Sequence, residues 1–202
     1  MLARPLLSTT VAICATLTLA SCNNSPEAGH PNTAPTTSTT PTPTPTAPST
    51  PAYTPEEQAA ITAATAQYIA ARAATDRAFE TPAKFDRNAL AKAGNSGQWL
   101  VELSGGAKQL KEYGWYQTGK TKISGTTVVS VNLGLEQPEV RLTNCIDSSG
   151  VVTRFVKDNK PVPVGPDNGK RHQFSSQLVF AKPASGGQQM WFLIADKVGG
   201  AC

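Results

Sequence analysis

The feature that most limits how this chain can fold is residues 23–52, a stretch dominated by Pro, Thr and Ser. Glu27 is its sole charged side chain, and it contains no Phe, Trp or Tyr. Such a segment buries too little apolar surface to offset the entropy lost on ordering, and its Thr-Pro repeats favour extended polyproline II. We therefore expect a disordered linker before residue 53 and a folded domain confined to residues 53–202.

The first 21 residues have the pattern of an export signal. Arg4 precedes a short, Thr-rich apolar run, which is too polar for a membrane span of about 20 predominantly apolar residues. The run ends in Leu19-Ala20-Ser21-Cys22, which resembles the lipobox of bacterial lipoproteins. The resemblance implies a signal peptide over residues 1–21 and lipidation of Cys22, including palmitate-type acyl chains. A plain secretory signal with an incidental cysteine is the alternative.

A lipidated Cys22 would hold the protein at the extracytoplasmic face of the cell membrane. One acyl chain binds a bilayer only marginally, whereas two chains anchor a protein stably. The net charge of +4 is spread along the chain. Because nucleic-acid-binding proteins concentrate Lys and Arg on one face or helix, no nucleic-acid partner is expected.

The signal peptide also simplifies the cysteine count. Of four cysteines, Cys14 would leave with the signal and Cys22 would carry lipid. Cys145 and Cys202 then remain in an oxidising compartment, where a disulfide bond between them is the simplest outcome. Two free thiols are the alternative. No metal ligand cluster or cofactor motif stands out in the sequence, so no cofactor is expected.

The domain opens with a strong signal for a helix. Thr54-Pro55-Glu56-Glu57 forms a capping box with proline at the first helical position. Positions from Ile61 through Tyr68 and Arg72 to Phe79 recur at helical spacing and predict one long amphipathic helix. Thr81-Pro82 should end it. Further helices are predicted over 83–93 and 98–113, with Gly114 as the terminating residue.

After Gly114 the pattern changes to β-branched and aromatic runs. Six predicted strands cover 115–125, 126–136, 139–147, 151–158, 171–182 and 189–198. Segments 147–150 and 158–159 are predicted turns between adjacent antiparallel strands. Helices followed by consecutive strands predict an α+β fold with helices packed on a curved antiparallel sheet.

Several stretches resemble a known group of proteins. The segments YTPEEQAAI, VRLTNCIDSSG and QFSSQLVF, together with the terminal cysteine, are similar to uncharacterised actinobacterial secreted lipoproteins. The order of helices and strands resembles the nuclear transport factor 2-like superfamily. The resemblance implies a cone in which helices cover one face of a bent sheet and leave a pocket. The aromatic residues that could line such a pocket are Tyr68, Trp99, Tyr113, Trp115 and Trp191, although each is also a good core residue.

Enzymes of that superfamily place acid–base residues in the cone. The counterparts here would be Asp76, Asp86, Asp147, His172, Asp196, Tyr68 and Tyr113. Asp147 is better interpreted as a turn cap and His172 as a surface residue. Asp196, on the last strand, could face either way, and a solvent-facing edge position is the preferred interpretation. No catalytic residue is therefore predicted.

Three functions are consistent with the sequence. The first is a non-enzymatic domain that binds a small apolar ligand or an envelope protein. The second is an isomerase- or dehydratase-type enzyme that uses an Asp in its pocket. The third is a structural accessory of an envelope transport or cell-wall complex.

Overall fold

The computed structural model describes residues 53–163, 165 and 170–202. The predicted signal peptide, Cys22 and the linker to residue 52 lie outside these residues. The helices are α1 (Pro55–Glu80), α2 (Arg87–Lys92) and α3 (Gly97–Tyr113), with one turn of 3₁₀ helix at Pro82–Lys84. The strands are β1 (Trp115–Thr118), β2 (Lys122–Asn132), β3 (Glu139–Asp147), β4 (Val152–Phe155), β5 (Arg171–Ala181) and β6 (Met190–Ala201). The predicted α+β order, with helices followed by antiparallel strands, is confirmed.

The start of α1 has the hydrogen bonds of the predicted capping box. The backbone N–H of Thr54 donates to Glu57 Oε2 at 2.9 Å, and the Glu57 N–H donates to Thr54 Oγ1 at 3.2 Å. The helix then buries one face, which includes Ile61, Tyr68 and Arg72. No helix among the described residues has the length and hydropathy to cross a bilayer.

The second helix is shorter than the predicted 83–93. Its N-cap is Asp86, whose Oδ1 accepts hydrogen bonds from the backbone N–H groups of Asn88 and Ala89. A side chain that binds these free N–H groups starts a helix at that point, so the preceding residues form a separate turn. The third helix ends at Tyr113. Gly114 follows it with φ +65°, the left-handed conformation expected of a glycine that terminates a helix.

The strands form two sheets rather than one. Strands β2, β3, β5 and β6 make a four-stranded antiparallel sheet in the order β2-β3-β5-β6, while β1 pairs with β4. Asp147 does accept a hydrogen bond from the Ser149 N–H at 2.9 Å, as a turn cap should. That turn leads from one sheet to the other, so the prediction that it joins adjacent strands is wrong. The physical reason is that β4 pairs with the distant β1 instead of with β3.

The boundary predicted between the first two strands also differs. The chain breaks at Gly119, with φ +86°, and not at Gly125. Gly125 lies at a register shift inside β2, where a bulge absorbs one residue without ending the strand. A Cβ on Gly119 would lie 1.9 Å from the carbonyl oxygen of Gly150. The close approach of these two backbones therefore requires glycine at position 119.

The core lies between α1 and one face of the larger sheet. Its buried members are Ala64, Tyr68, Ala71, Val140, Leu142, Ile146, Leu178, Trp191 and Leu193. A second cluster, Ala74, Leu90, Leu100 and Leu103, joins the three helices. Trp99 packs against both clusters.

The structure contains the Cys145–Cys202 disulfide bond, with a Cα–Cα distance of 5.9 Å. It joins β3 to the residue after β6, although β5 lies between these two strands in the sheet. The crosslink therefore fixes the end of the chain to the sheet.

Candidate functional site

A chain of polar side chains is buried between α1 and the larger sheet. Arg72 Nη1 on α1 donates to Asp196 Oδ2 on β6 at 3.1 Å, and the Asp196 side chain is fully buried. Ser176 Oγ donates to Asp196 Oδ1 at 2.7 Å, and Asn144 Nδ2 donates to Ser176 Oγ at 2.9 Å. Three strands and a helix are therefore connected through one hydrogen-bonded network.

The interpretation of Asp196 as a solvent-facing residue is wrong. Gln177 of β5 pairs with Ala195 of β6, but the next residue, Leu178, pairs with Leu193. Ile194 of β6 therefore has no partner, which marks a bulge. One extra residue reverses which side of a strand the following side chains occupy. Leu193 and Asp196 therefore both face the helices, although they are three positions apart.

Two aromatic rings hold the guanidinium group of Arg72 in place. Its Cζ lies 5.5 Å from the ring centroid of Trp99 and 5.2 Å from that of Phe174, at cation–π distance. Trp99 is itself oriented by a hydrogen bond from its Nε1 to Asn95 Oδ1 at 3.0 Å. Arg72 is consequently held by both an ion pair and its aromatic neighbours.

Part of the hydrogen-bonding capacity of Arg72 is unused. Nη1 donates to Asp196, and among the described residues no other nitrogen of this side chain has a hydrogen-bond acceptor. Nε is in addition fully buried. The side chain is only 9% exposed. A buried guanidinium with unpaired donors is costly unless something else supplies the acceptor.

Tyr68 lies beside this network. Its hydroxyl is close to Asp196 and Ser176 but forms no hydrogen bond of normal geometry. Burial, and then the negative charge of Asp196, raise the pKa of Tyr68 well above its ordinary value. Burial also raises the pKa of the Asp196 carboxyl, an effect opposed by Arg72 and Ser176. Tyr68 therefore remains a neutral phenol at physiological pH.

A cavity of about 200 Å³ adjoins the network. It lies between α1, α3 and the inner side of the β1–β4 sheet, and Arg72 forms part of its wall. Its other polar lining residues are Thr75, Asp76, Gln117, Thr121, Ser148 and Thr153. Its apolar lining residues are Phe79, Trp99, Leu103 and Val151.

Asp76 is the acidic side chain of this cavity. It follows Arg72 by four residues on α1, so the two side chains share a helix face. Asp76 Oδ2 accepts hydrogen bonds from the backbone N–H and from the hydroxyl of Thr121, both at 3.0 Å. The carboxylate thereby joins α1 to the segment between the first two strands.

A second cavity, an open groove of about 300 Å³, lies between the end of α1 and α2. Arg77 and Lys84 line it above an apolar floor that includes Leu90. Its carboxylate, Asp86, is already engaged as the cap of α2. The groove therefore brings no acid–base pair together.

The five aromatic residues predicted as pocket candidates lie in three places. Trp99 lines the 200 Å³ cavity. Tyr68 and Trp191 belong to the core between α1 and the larger sheet. Tyr113 and Trp115 pack against each other in a tilted arrangement, with ring centroids 4.8 Å apart, at the junction of α3 and β1.

The candidate acid–base residues are also dispersed. Asp147 caps its turn, and its hydrogen bonds with Ser149 lower the pKa of the Asp147 carboxyl. His172 lies within β5 opposite Ala201 and is half-buried. Among residues 53–163, 165 and 170–202, no three His, Cys, Asp or Glu side chains group as metal ligands. Within the described part of the chain, the site has two hydroxyl–carboxylate pairs: Ser176 with Asp196, which is buried, and Thr121 with Asp76, which lines the 200 Å³ cavity.

Sequence reasoning missed Asn144 and Ser176, although a signal for them existed. Asn144 alternates with the inward-facing Leu142 and Ile146, and Ser176 precedes the inward-facing Leu178 by two. Polar residues at inward positions of a strand indicate a buried hydrogen-bonded network.

Comparison with known proteins found distant similarity to solved structures. No family model matches the chain, and no curated protein matches it. Among solved structures, the intermembrane space region of the chloroplast protein ARC6 is similar over 69% of this chain and 97% of its own. The TM-score is 0.46 and the sequence identity is 14%.

Proposed function

We propose that this protein is a lipid-anchored extracytoplasmic lipoprotein whose domain binds a compact small molecule without catalysing a reaction. The binding site is the 200 Å³ cavity. The observation that supports it best is Arg72, a buried residue of the cavity wall whose guanidinium group is only partly hydrogen-bonded. The anchor is the lipidated Cys22, and the linker separates the domain from the membrane. The protein belongs with the actinobacterial secreted lipoproteins it resembles.

The wall of the cavity is preorganised for binding. Arg72 is held by Asp196 and by two aromatic rings, and Asp76 is held by Thr121. Groups fixed before a ligand arrives lose little conformational entropy on binding. This rigidity supports a binding role for side chains whose burial would otherwise be unfavourable.

The cavity favours a ligand different from the apolar molecule expected at first. Its lining mixes polar and apolar side chains, and its volume is below the roughly 300–1,000 Å³ of ordinary ligand pockets. The space corresponds to roughly seven water molecules at about 30 Å³ each. We therefore propose a compact molecule with a polar edge rather than an acyl chain.

A nuclear transport factor 2-like cone is part of this proposal. Two observations support it. Helices cover one face of the larger sheet, and its strands carry bulges: the β2–β3 pairing and the β5–β6 pairing each contain two register shifts. Bulges bend strands and increase their twist, as a cone requires. The proposed cone places the cavity beside α1 and α3.

The two rival functions have less support. An enzyme would need an acid or base free to react, but both oxygens of Asp76, the carboxylate of the cavity, accept hydrogen bonds from Thr121. Both Asp196 oxygens are also hydrogen-bonded, and that side chain is fully buried. An accessory that docks through the outer sheet face would need an apolar patch there. That face instead carries exposed Arg141, Gln173, Ser175 and Lys197.

The ligand proposal is tested by purifying the full chain from its native envelope and measuring bound mass by native mass spectrometry. We expect a small bound molecule that is absent from Thr153→Phe, which fills the cavity from β4. Thr127→Phe is the matched control, because Thr127 is exposed on β2 and does not line the cavity. Equal occupancy in both variants, or none in the native protein, would refute the proposal.

The anchor is tested separately by cell fractionation. Cys22→Ala should move the chain from the membrane fraction to the soluble fraction, because the thiol is the attachment point of the acyl chains. Unchanged membrane retention would refute the lipid anchor without affecting the ligand proposal.

A further inference from the structure

The charges and unpaired donors around the 200 Å³ cavity point to the chemical class of its ligand. We infer that it binds an uncharged molecule with a carbonyl-type hydrogen-bond acceptor, such as a carboxamide, in preference to carboxylates or cations. This inference rests on the proposed binding function and adds the charge of the ligand to it.

The need for an acceptor comes from Arg72. Nη1 donates to Asp196, and Nε is enclosed by protein without access to the cavity. Nη2 has no acceptor among the described residues and is not fully buried, so it is the nitrogen through which Arg72, a lining residue, can donate to a molecule in the cavity. A donor held in this position favours a ligand oxygen at hydrogen-bond distance and disfavours a group that can only donate. Ammonium and amidinium groups carry no such acceptor.

The preference against an anion comes from the acidic groups. Asp196 already pairs with the charge of Arg72, so it cancels much of the attraction that a lone arginine would exert on an anion. Asp76 then contributes a second carboxylate, one helical turn from Arg72 on the cavity wall. A ligand carboxylate would face this charge in a poorly solvated space, where repulsion is stronger than in water. A neutral carbonyl would accept from Arg72 without that repulsion.

The remaining lining residues fit an amide with a short apolar part. The side chain of Gln117, on β1, has no hydrogen bond within the described part of the chain, so its amide is available to a second polar group. Phe79, Leu103 and Val151 form the apolar wall. A branched chain of three or four carbons fits the space of roughly seven water molecules.

The inference is tested with three probes of nearly the same shape: isobutyramide, isobutyrate and isobutyramidinium. Each is titrated into the full chain carrying Cys22→Ala, and binding is followed by NMR at the backbone amides of the cavity and at the Arg72 Nε–Hε signal. We expect isobutyramide to bind at least about tenfold more tightly than either charged probe, a preference of about 1.4 kcal/mol.

Asp76→Asn provides the matched variant. The substitution removes the charge, keeps the shape and retains an oxygen that can accept from Thr121. It should strengthen isobutyrate binding several-fold while leaving isobutyramide binding nearly unchanged. Glu80→Gln, a charge change at an exposed position outside the cavity, should alter neither.

Two results would overturn the inference. If isobutyrate or isobutyramidinium binds the cavity as tightly as the amide, the ligand class is wrong although the cavity does bind ligands. If no probe shifts the cavity signals, the inference also fails, and the mass of the molecule carried by the native protein then decides the proposed function independently.

Discussion

Truncating one member of the buried Arg72–Asp196 pair should destabilise the domain far more than removing the pair as a whole. The Asp196 side chain is fully buried and the Arg72 side chain is 9% exposed, with 3.1 Å between the bonded atoms. At an effective dielectric constant of about 20, attraction at this distance is about 5 kcal/mol, and desolvation of both ions offsets much of it. The net value of the pair is therefore small, but either ion left alone keeps its desolvation cost.

The expected magnitudes follow from that asymmetry. Arg72→Met or Asp196→Leu should each lower the free energy of unfolding by about 3–5 kcal/mol. For a domain of about 150 residues, this corresponds to a fall in Tm of roughly 10 °C. The double variant Arg72→Met/Asp196→Leu should lose much less than the sum of the two single losses. Arg77→Met, on the exposed side of the same helix, should change stability by no more than about 0.5 kcal/mol.

Urea unfolding followed by circular dichroism measures all four variants, and a double-mutant cycle extracts the coupling between Arg72 and Asp196. Additive losses would show that the two side chains do not act as a pair. Single-variant losses below about 1 kcal/mol would show that the network is solvated, contrary to the burial on which the argument depends.

Three further perturbations test other parts of the fold. Cys202→Ser should lower the free energy of unfolding by about 4 kcal/mol, because it removes a crosslink that spans 57 residues. Cys145→Ser and the double variant should each lose the same amount, and additive losses in urea unfolding would contradict a shared bond. Gly97→Ala should cost about 2 kcal/mol, because Gly97 has φ +55° and a Cβ there would meet Ile194 at 3.0 Å. Gly105→Ala, within the same helix and with no atom near the new Cβ, should instead raise stability by about 0.5–1 kcal/mol, and a loss in both variants would refute the argument. The hydrogen bond from Arg141 lowers the pKa of Glu139, so its stabilising contribution is present above the ordinary Glu pKa of about 4.3 and is lost as the pH falls through the folded-state value. The stability difference between the native chain and Glu139→Gln should therefore shrink between pH 7 and pH 3, and an unchanged difference would contradict this.

The features that could be predicted from sequence are those governed by neighbouring residues. The capping box at Thr54 and Glu57 and the end of α3 at Gly114 involve hydrogen bonds or dihedral angles within a few residues. The strands β3, β5 and β6 were predicted to within a few residues, because their alternation and β-branched content are local properties. The Cys145–Cys202 bond required only a count of cysteines and a choice of compartment.

The candidate site depended instead on contacts between distant segments. A single bulge at Ile194 turns Asp196 from the solvent side to the helix side, and nothing in the residues around it signals the shift in pairing. The pairing of β1 with β4 removes β4 from its neighbour β3 and closes the cavity against α1 and α3. Strand register is decided by the whole sheet, because each pair competes with every other pairing available to those strands.

The amino-acid sequence by itself determined most of the elements of the described domain and their order, because these follow from local hydrogen bonding and periodicity. Only the tertiary structure decided that Arg72 meets Asp196 across 124 positions of the chain and that their network borders a cavity. The burial, the ion pairing and the pKa of Asp196 depend on this contact, because the free energy of a buried charge is set by the groups around it in space.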